Sequence, residues 1–514
     1  MENRKSLAIT IISQALALAI NLGIGFFVSS YIVSRINAAA YGFVGLANDF
    51  VGYAQVLTVA LNSMAGRFIT VELHKKQMDQ ANRYFTSVTV ANCALGAMLL
   101  IPFIIIIVFM SRLVNIAPDI LPDVQLLWTL LFANFIISIV ITTFQVATFV
   151  RDKLYLTGAV QIVGNLLRLF IIVIAYTLFK PAVWYLGLAL LVSAGFGLIS
   201  HIRYTKKLTP ELQVRRRYFE WKSIRTILAS GFWNSITRLS GIMATGLDLL
   251  ITNKFVGATA MGLVSVSKTV PNMILQFMGT AASAFAPRLT KSFAQQGFDD
   301  MAQQTFFSVR LLGIIAGIPM AFLIVFGKAF FSLWMPTLDA ELLYWLSLLG
   351  CLAFTFSMPL EGIWNVFTAS NKVRVSSVYL LANSAVSVAL VFALLPITQD
   401  INTRLYIIVG VSSVFSVIRA LTFLPLYGAH CLKQKWYVFY PHMLKNLAYT
   451  ALLVLMAFGI SRILLLDSWL KFFATVCLFG VISLPIGFIL LLKKNERKAV
   501  TSMIGKVFKH GKDQ

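Results

Sequence analysis

Five cations stand inside stretches otherwise apolar enough to span a bilayer: Arg168, Arg238, Lys268, Arg310 and Arg419. A cation at the bilayer centre costs about 3 kcal/mol even on insertion scales, so such a residue faces a protein interior or a watery cavity and marks a pathway. Asp49, Asp248 and Glu361 are the acids at similar depth. The buried charge is therefore net positive, and the missing counter-charge is expected to arrive with an anionic ligand. The three acids are candidates for proton or sodium coupling, or for internal pairing: Asp49 with Arg168, Glu361 with Arg310 or Arg419.

The elements that must hold these residues follow from periodicity. Asn234, Arg238, Gly241, Thr245 and Asp248 recur at helical spacing and predict one polar face over four turns. Arg238 and Asp248, ten residues apart on that helix, are about 15 Å apart and cannot pair directly. Ser265, Lys268, Asn272, Gln276 and Ser283 form a similar stripe, with Pro271 available to bend it. A shift of 220 residues sets Tyr41-Gly42 on Met261-Gly262 and aligns the first helix with the seventh and the second with the eighth. The first then carries Gln14, Asn21 and Gly25, and the second Asn48, Gly52, Gln55 and Asn62. Arg168 shares a face with Gln161 and Asn165. Interhelical glue explains single polar residues, but long stripes with net positive charge favour an aqueous cleft.

Composition sets the class. The 514 residues are 59% hydrophobic and 12% charged, with a mean hydropathy of +0.83, which describes an all-α polytopic membrane protein. A formal charge of +24 invites a nucleic-acid reading, but its distribution excludes one. Thirty of the 43 Lys and Arg fall in alternate loops and the two tails, eight in the opposite loops and five within spans. That asymmetry places both termini in the cytoplasm.

Apolar runs of about 20 residues predict fourteen spans, near 7–33, 38–66, 85–110, 124–150, 155–179, 182–202, 224–253, 258–287, 305–326, 342–367, 375–395, 405–427, 443–461 and 470–492. Residues 1–203 form an N-lobe of six helices, 204–222 a basic cytoplasmic linker, and 223–428 a C-lobe of six more. Two extra helices occupy 429–492 and a basic tail 493–514. Because six is even, the two halves are expected to be parallel repeats about an axis along the membrane normal. The linker, with Lys206, Lys207, Arg215, Arg216, Arg217 and Lys222, is expected to be a solvated connection touching anionic headgroups. Val500, Met503, Ile504, Val507 and Phe508 among lysines suit a short helix on the inner leaflet.

Other chemistries find no support. Cys93, Cys351, Cys431 and Cys477 are dispersed, and the five histidines show no metal or triad spacing. Gly257 to Gly262 mimics the opening of a phosphate-binding loop, but Leu263 stands where lysine is required. No external loop is long enough for a catalytic domain, so neither enzyme nor cofactor is expected, and transport would draw on a proton, sodium or substrate gradient.

Fourteen helices in two six-helix halves with a C-terminal pair resemble the polysaccharide-transport branch of the multidrug/oligosaccharidyl-lipid/polysaccharide exporter superfamily, which includes the Wzx-type flippases. The local match is Asp248-Leu-Leu-Ile-Thr-Asn-Lys-Phe-Val-Gly257 followed by Met261-Gly-Leu-Val-Ser-Val-Ser-Lys268. The resemblance implies a V-shaped pair of lobes in a bacterial cytoplasmic membrane. They would alternate access and flip an undecaprenyl-pyrophosphate-linked oligosaccharide outward, with Arg168, Arg238, Lys268, Arg310 and Arg419 on the pyrophosphate. Gln14, Asn21, Asn48, Asn234, Thr245, Asn272 and Gln276 would line the cleft. It also implies membrane lipids and polysaccharide polymerase or assembly proteins as partners. Lipid II flippases carry basic residues in the first helix, whereas this span has no charge between Lys5 and Arg35. A multidrug or cation antiporter of the same superfamily is the rival, expected to have twelve spans and an acidic cavity.

Overall fold

The computed structural model describes the backbone of residues 2–151, 153–464, 466–498 and 501, and side chains from residue 13 onward except 15, 294 and 296. The amphipathic helix expected beyond residue 500 lies outside the described residues. Among those described, the secondary structure is entirely helical. Twelve helices are long and apolar enough to cross a membrane: Leu16–Arg35, Ala38–His74, Met78–Val108, Leu121–Val150, Leu154–Leu178, Trp184–Leu208, Gly297–Trp334, Ala340–Leu360, Val373–Ile397, Ile401–Cys431, Tyr440–Ile463 and Trp469–Leu491.

The seventh and eighth segments fall outside that count, and both are broken. The seventh runs as Trp221–Gly241, a π-helical stretch Ile242–Gly246, and Asp248–Phe255. The eighth runs as Ala258–Ser267 and Thr269–Ser283. Pro271 explains the second break: it lacks the N–H that would bond Ser267, and its ring crowds that carbonyl.

Two compact units emerge, one of residues 1–266 with 377–388, the other of 267–376 with 389–514. The division falls inside the eighth segment, between Val266 and Ser267, rather than in the basic linker. In the first unit the helix Ala38–His74 is the spine, begun by Asn37, whose side chain accepts from the Ala40 N–H at 2.7 Å. The seventh segment rests directly on it. A Cβ at Gly231 would lie 1.8 Å from the Ala60 carbonyl oxygen, so only glycine permits this approach. Nearer its other end, the segment is clasped by reciprocal bonds between Asn253 and Asn115 at 2.7–3.0 Å.

The repeat reappears as contact. A Cβ at Gly42 would meet the Gly262 nitrogen at 2.9 Å, and one at Gly45 would meet the Ser265 hydroxyl at 2.5 Å. Each pair is separated by the same 220 residues.

The basic linker is not merely a solvated connection. Asn82 donates to the Glu211 carbonyl at 3.0 Å and accepts from the Gln213 N–H at 2.7 Å. Thr86 donates to the Gln213 carbonyl at 3.0 Å, and Ser87 exchanges bonds with the Glu220 backbone at 2.9 and 3.1 Å. One helical face of Met78–Val108 thus grips the linker as an extra strand would be gripped in a sheet.

In the second unit, Gly297–Trp334 is central. Ile314, Ala321 and Phe326 pack with Tyr449, Leu453, Phe479 and Leu491 in one apolar core, so the two C-terminal helices are integral to this unit.

Candidate anion-binding site

Arg168 sits on the helix Leu154–Leu178, turned towards the first helix. Its Nη1 donates to Asn21 Oδ1 at 3.1 Å, and one turn earlier Asn165 donates to the Ala17 carbonyl at 3.1 Å. The guanidinium Nε is buried without a hydrogen-bond partner. The Tyr41 phenol on the second helix is the ionisable group that acts on it electrostatically. The side chain makes no ion pair with any described residue, so Asp49 is not its partner.

Arg238 lies against the middle of the same second helix. Its Nη2 donates to Gln55 Oε1 at 2.6 Å, and the missing side chain of Gly52, whose Cβ would stand 3.3 Å from that nitrogen, leaves the room. Asp49 is the acid whose field reaches it. Asn234, one turn away, donates to Ser63 at 3.0 Å. Tyr41 and Gln55 are 14 residues apart on one helix, about 21 Å along its axis. The first unit therefore presents two cations, Arg168 bonded to the first helix and Arg238 to the second. The Asn48 amide meanwhile donates to its own helix at Val44, 2.9 Å away. Gln14, at the other end of the first helix's stripe, is exposed.

The predicted stripe on the seventh segment does not survive whole. Arg238, Gly241 and Thr245 are exposed, but Asp248 is buried. A π turn inserts extra chain into the helix and rotates everything after it, so Asp248 leaves the face that spacing alone assigned to it. The Tyr53 hydroxyl donates to the Gly246 carbonyl at 2.5 Å, at the end of the π turn. Asp49 and Asp248 both act on Tyr53, which was not singled out by spacing.

In the second unit, Lys268 occupies the break before Thr269–Ser283, while Asn272 and Gln276 are exposed on that helix. The break divides the expected eighth stripe between two helices. Glu361 lies just after the 3₁₀ turn Met358–Leu360 and has Arg419 and Trp364 as its electrostatic neighbours. Arg310 belongs elsewhere. It is 4% exposed and holds Glu496 in a two-pronged ion pair, Nε donating at 3.0 Å and Nη2 closing the second contact. The pair ties the helix to the segment after the last span. Glu496 was overlooked, although an isolated acid among Lys493, Lys494, Arg497 and Lys498 was a visible signal.

Searches of known proteins agree with the helical layout. A eukaryotic MATE transporter, AtDTX14, superposes with a TM-score of 0.64 at 11% identity over 87% of this chain and 99% of its own. The chain has the MATE fold. An inward-facing MATE multidrug-resistance transporter superposes on this MATE-fold chain at 0.60 with 13% identity, over 84% of this chain and 99% of that one. A Pyrococcus furiosus transporter of the same superfamily, described as having a binding pocket of reversed polarity, gives 0.63 at 14% identity over 84% and 97%. In sequence, the uncharacterized membrane protein EpsK of Bacillus subtilis (strain 168) is 27% identical over 489 residues, 94% of this chain and 95% of that protein. No family model matches. The MATE structures are matched nearly end to end, while 13–16% of this chain has no counterpart in them.

Proposed function

We propose that this chain is a non-catalytic carrier, a flippase that moves an undecaprenyl-pyrophosphate-linked oligosaccharide from the inner to the outer leaflet by alternating access. The observation that carries the reading is Arg168: a cation within a span, held by one amide, with no described carboxylate on it. Such a charge is stable only if water or an anion reaches it. Arg238 and Arg168 would hold the pyrophosphate. The isoprenoid tail would remain in lipid, where burying the unpaired headgroup would be prohibitive. Lys268 and Arg419 are kept as further anion ligands on their sequence positions.

The reading includes fourteen crossings, the two broken segments counted, with both termini cytoplasmic in a bacterial inner membrane. It also includes lobes 1–203 and 223–428 as the moving parts, and polymerase or assembly proteins as the receivers of the glycan. Asp49 and Asp248, which share Tyr53 as a neighbour, are the proposed proton- or sodium-coupling groups. The same acids favour the second reading, a cation antiporter with the MATE fold.

Reconstitution separates the two. Vesicles containing lipid-linked pyrophosphate sugars, lipid II, or a cationic dye are supplied to wild type, Arg168→Ala and Arg238→Ala. Flipping of a lipid-linked sugar that is lost in both variants supports the flippase. Dye transport indifferent to both, with no lipid movement, refutes it, and a response confined to lipid II redirects the substrate.

A further inference from the structure

The linker carries a surface that transport does not use. Arg215, Arg216 and Arg217 are consecutive and exposed, in and beside a 3₁₀ turn at Arg216–Tyr218. Three large apolar side chains flank them in the open: Val214, Phe219 and Trp221, the last 68% exposed. Lys222 and Arg225 follow on the next turn. The acids of the same stretch are already neutralised, Glu211 by Arg151 and Glu220 by Arg83 at 3.4 Å. Asn82, Thr86 and Ser87 hold the strap at both ends of the triad, so its arginines are presented with little backbone entropy left to lose.

We infer that this strap is a binding surface for the anionic phospholipid headgroups of the inner leaflet. Charge asymmetry places the segment on the cytoplasmic side. Guanidinium groups there face phosphates while Phe219 and Trp221 enter the interfacial zone that aromatic rings favour. A soluble acidic partner would use the arginines but leave an exposed tryptophan, phenylalanine and valine beside them in water. A membrane surface satisfies both kinds of side chain at once. Arg217 is further steadied by its own neighbour, its guanidinium 4.7 Å from the Tyr218 ring centroid and bonded to that hydroxyl at 2.8 Å.

The full chain in nanodiscs tests this with brominated lipids, taking the tryptophan quenching that Trp221→Phe removes as the Trp221 signal. Brominated phosphatidylglycerol should enrich around Trp221 over brominated phosphatidylcholine. An R215Q/R216Q/R217Q variant should lose that preference on the order of tenfold or more, since each such cation near an anionic surface acts with about 1 kcal/mol. In wild type the preference should also fall as salt rises, because the contacts are solvent-screened. A preference that survives the triple substitution overturns the proposal. So does a wild-type preference indifferent to salt, which covers the case in which the variant fails to fold.

Discussion

Arg168 and Arg310 are both arginines inside apolar helices, and the molecule treats them in opposite ways. Arg310 is closed off by a carboxylate 186 residues further along the chain. Arg168 is held by one amide, that of Asn21, and by no described carboxylate. The first arrangement completes a charge pair within the fold, and the second leaves a positive charge for something else to complete. A cation's depth therefore says little about its role; the partner that the tertiary structure brings, or withholds, decides it.

The comparison is broken most sharply at Arg310. Arg310→Ala removes the buried half of the pair, leaving Glu496 with the Lys493 N–H, and should cost on the order of 1–3 kcal/mol of stability. Thermal unfolding of the purified protein measures it, and a melting point unchanged from wild type would mean the pair is idle. Arg168→Ala should do the reverse. Stability holds or rises as an uncompensated charge is removed, while flipping falls on the order of 10- to 100-fold, the weight of lost hydrogen bonds to a charged group. If the melting point falls instead and flipping persists, Arg168 is structural.

The repeat offers a third test, of the moving parts rather than the charges. A Cβ at Gly45 would stand 3.5 Å from the Ser265 Cβ, within the span a disulfide needs. Gly45→Cys with Ser265→Cys should crosslink under oxidant, arrest flipping, and recover with reductant. Undiminished flipping in the crosslinked protein would show that this contact need not open.

The smallest effect belongs to Asp400, an exposed acid in the same unit as Arg310. It caps the helix Ile401–Leu421, accepting from the Thr403 N–H at 2.7 Å and hydroxyl at 2.6 Å. Those bonds hold its carboxyl below the usual aspartate value of 3.8. A depressed folded-state pKa means the contribution is present above that value and is lost only as pH falls through the lower folded one. Melting curves of wild type and Asp400→Ala should differ by a small constant above about pH 4 and converge below it. A gap that widened on acidification would contradict the cap.

Much of the architecture was legible because lipid imposes a simple rule: about 20 apolar residues to cross, with cations kept to one side. The twelve apolar spans obey it. The seventh and eighth segments resisted because their breaks come from local backbone events. One is a π turn that leaves no signature in hydropathy. The other follows from Pro271, which periodicity treated as a bend within one stripe. The linker's anchoring was not legible, since its hydrogen bonds come from Asn82, Thr86 and Ser87, some 130 residues away in the chain.

The sequence by itself determined that this chain lives in a bilayer as a helical bundle and that its spans contain excess positive charge. These are properties of composition and periodicity, which act locally along the chain. Only the tertiary structure decided which cations are spoken for. It set Glu496 on Arg310, put one amide on Arg168, aligned Gln55 with Arg238, and buried Asp248. Charge pairing depends on distances across the bundle, and those are fixed by packing between helices far apart in sequence.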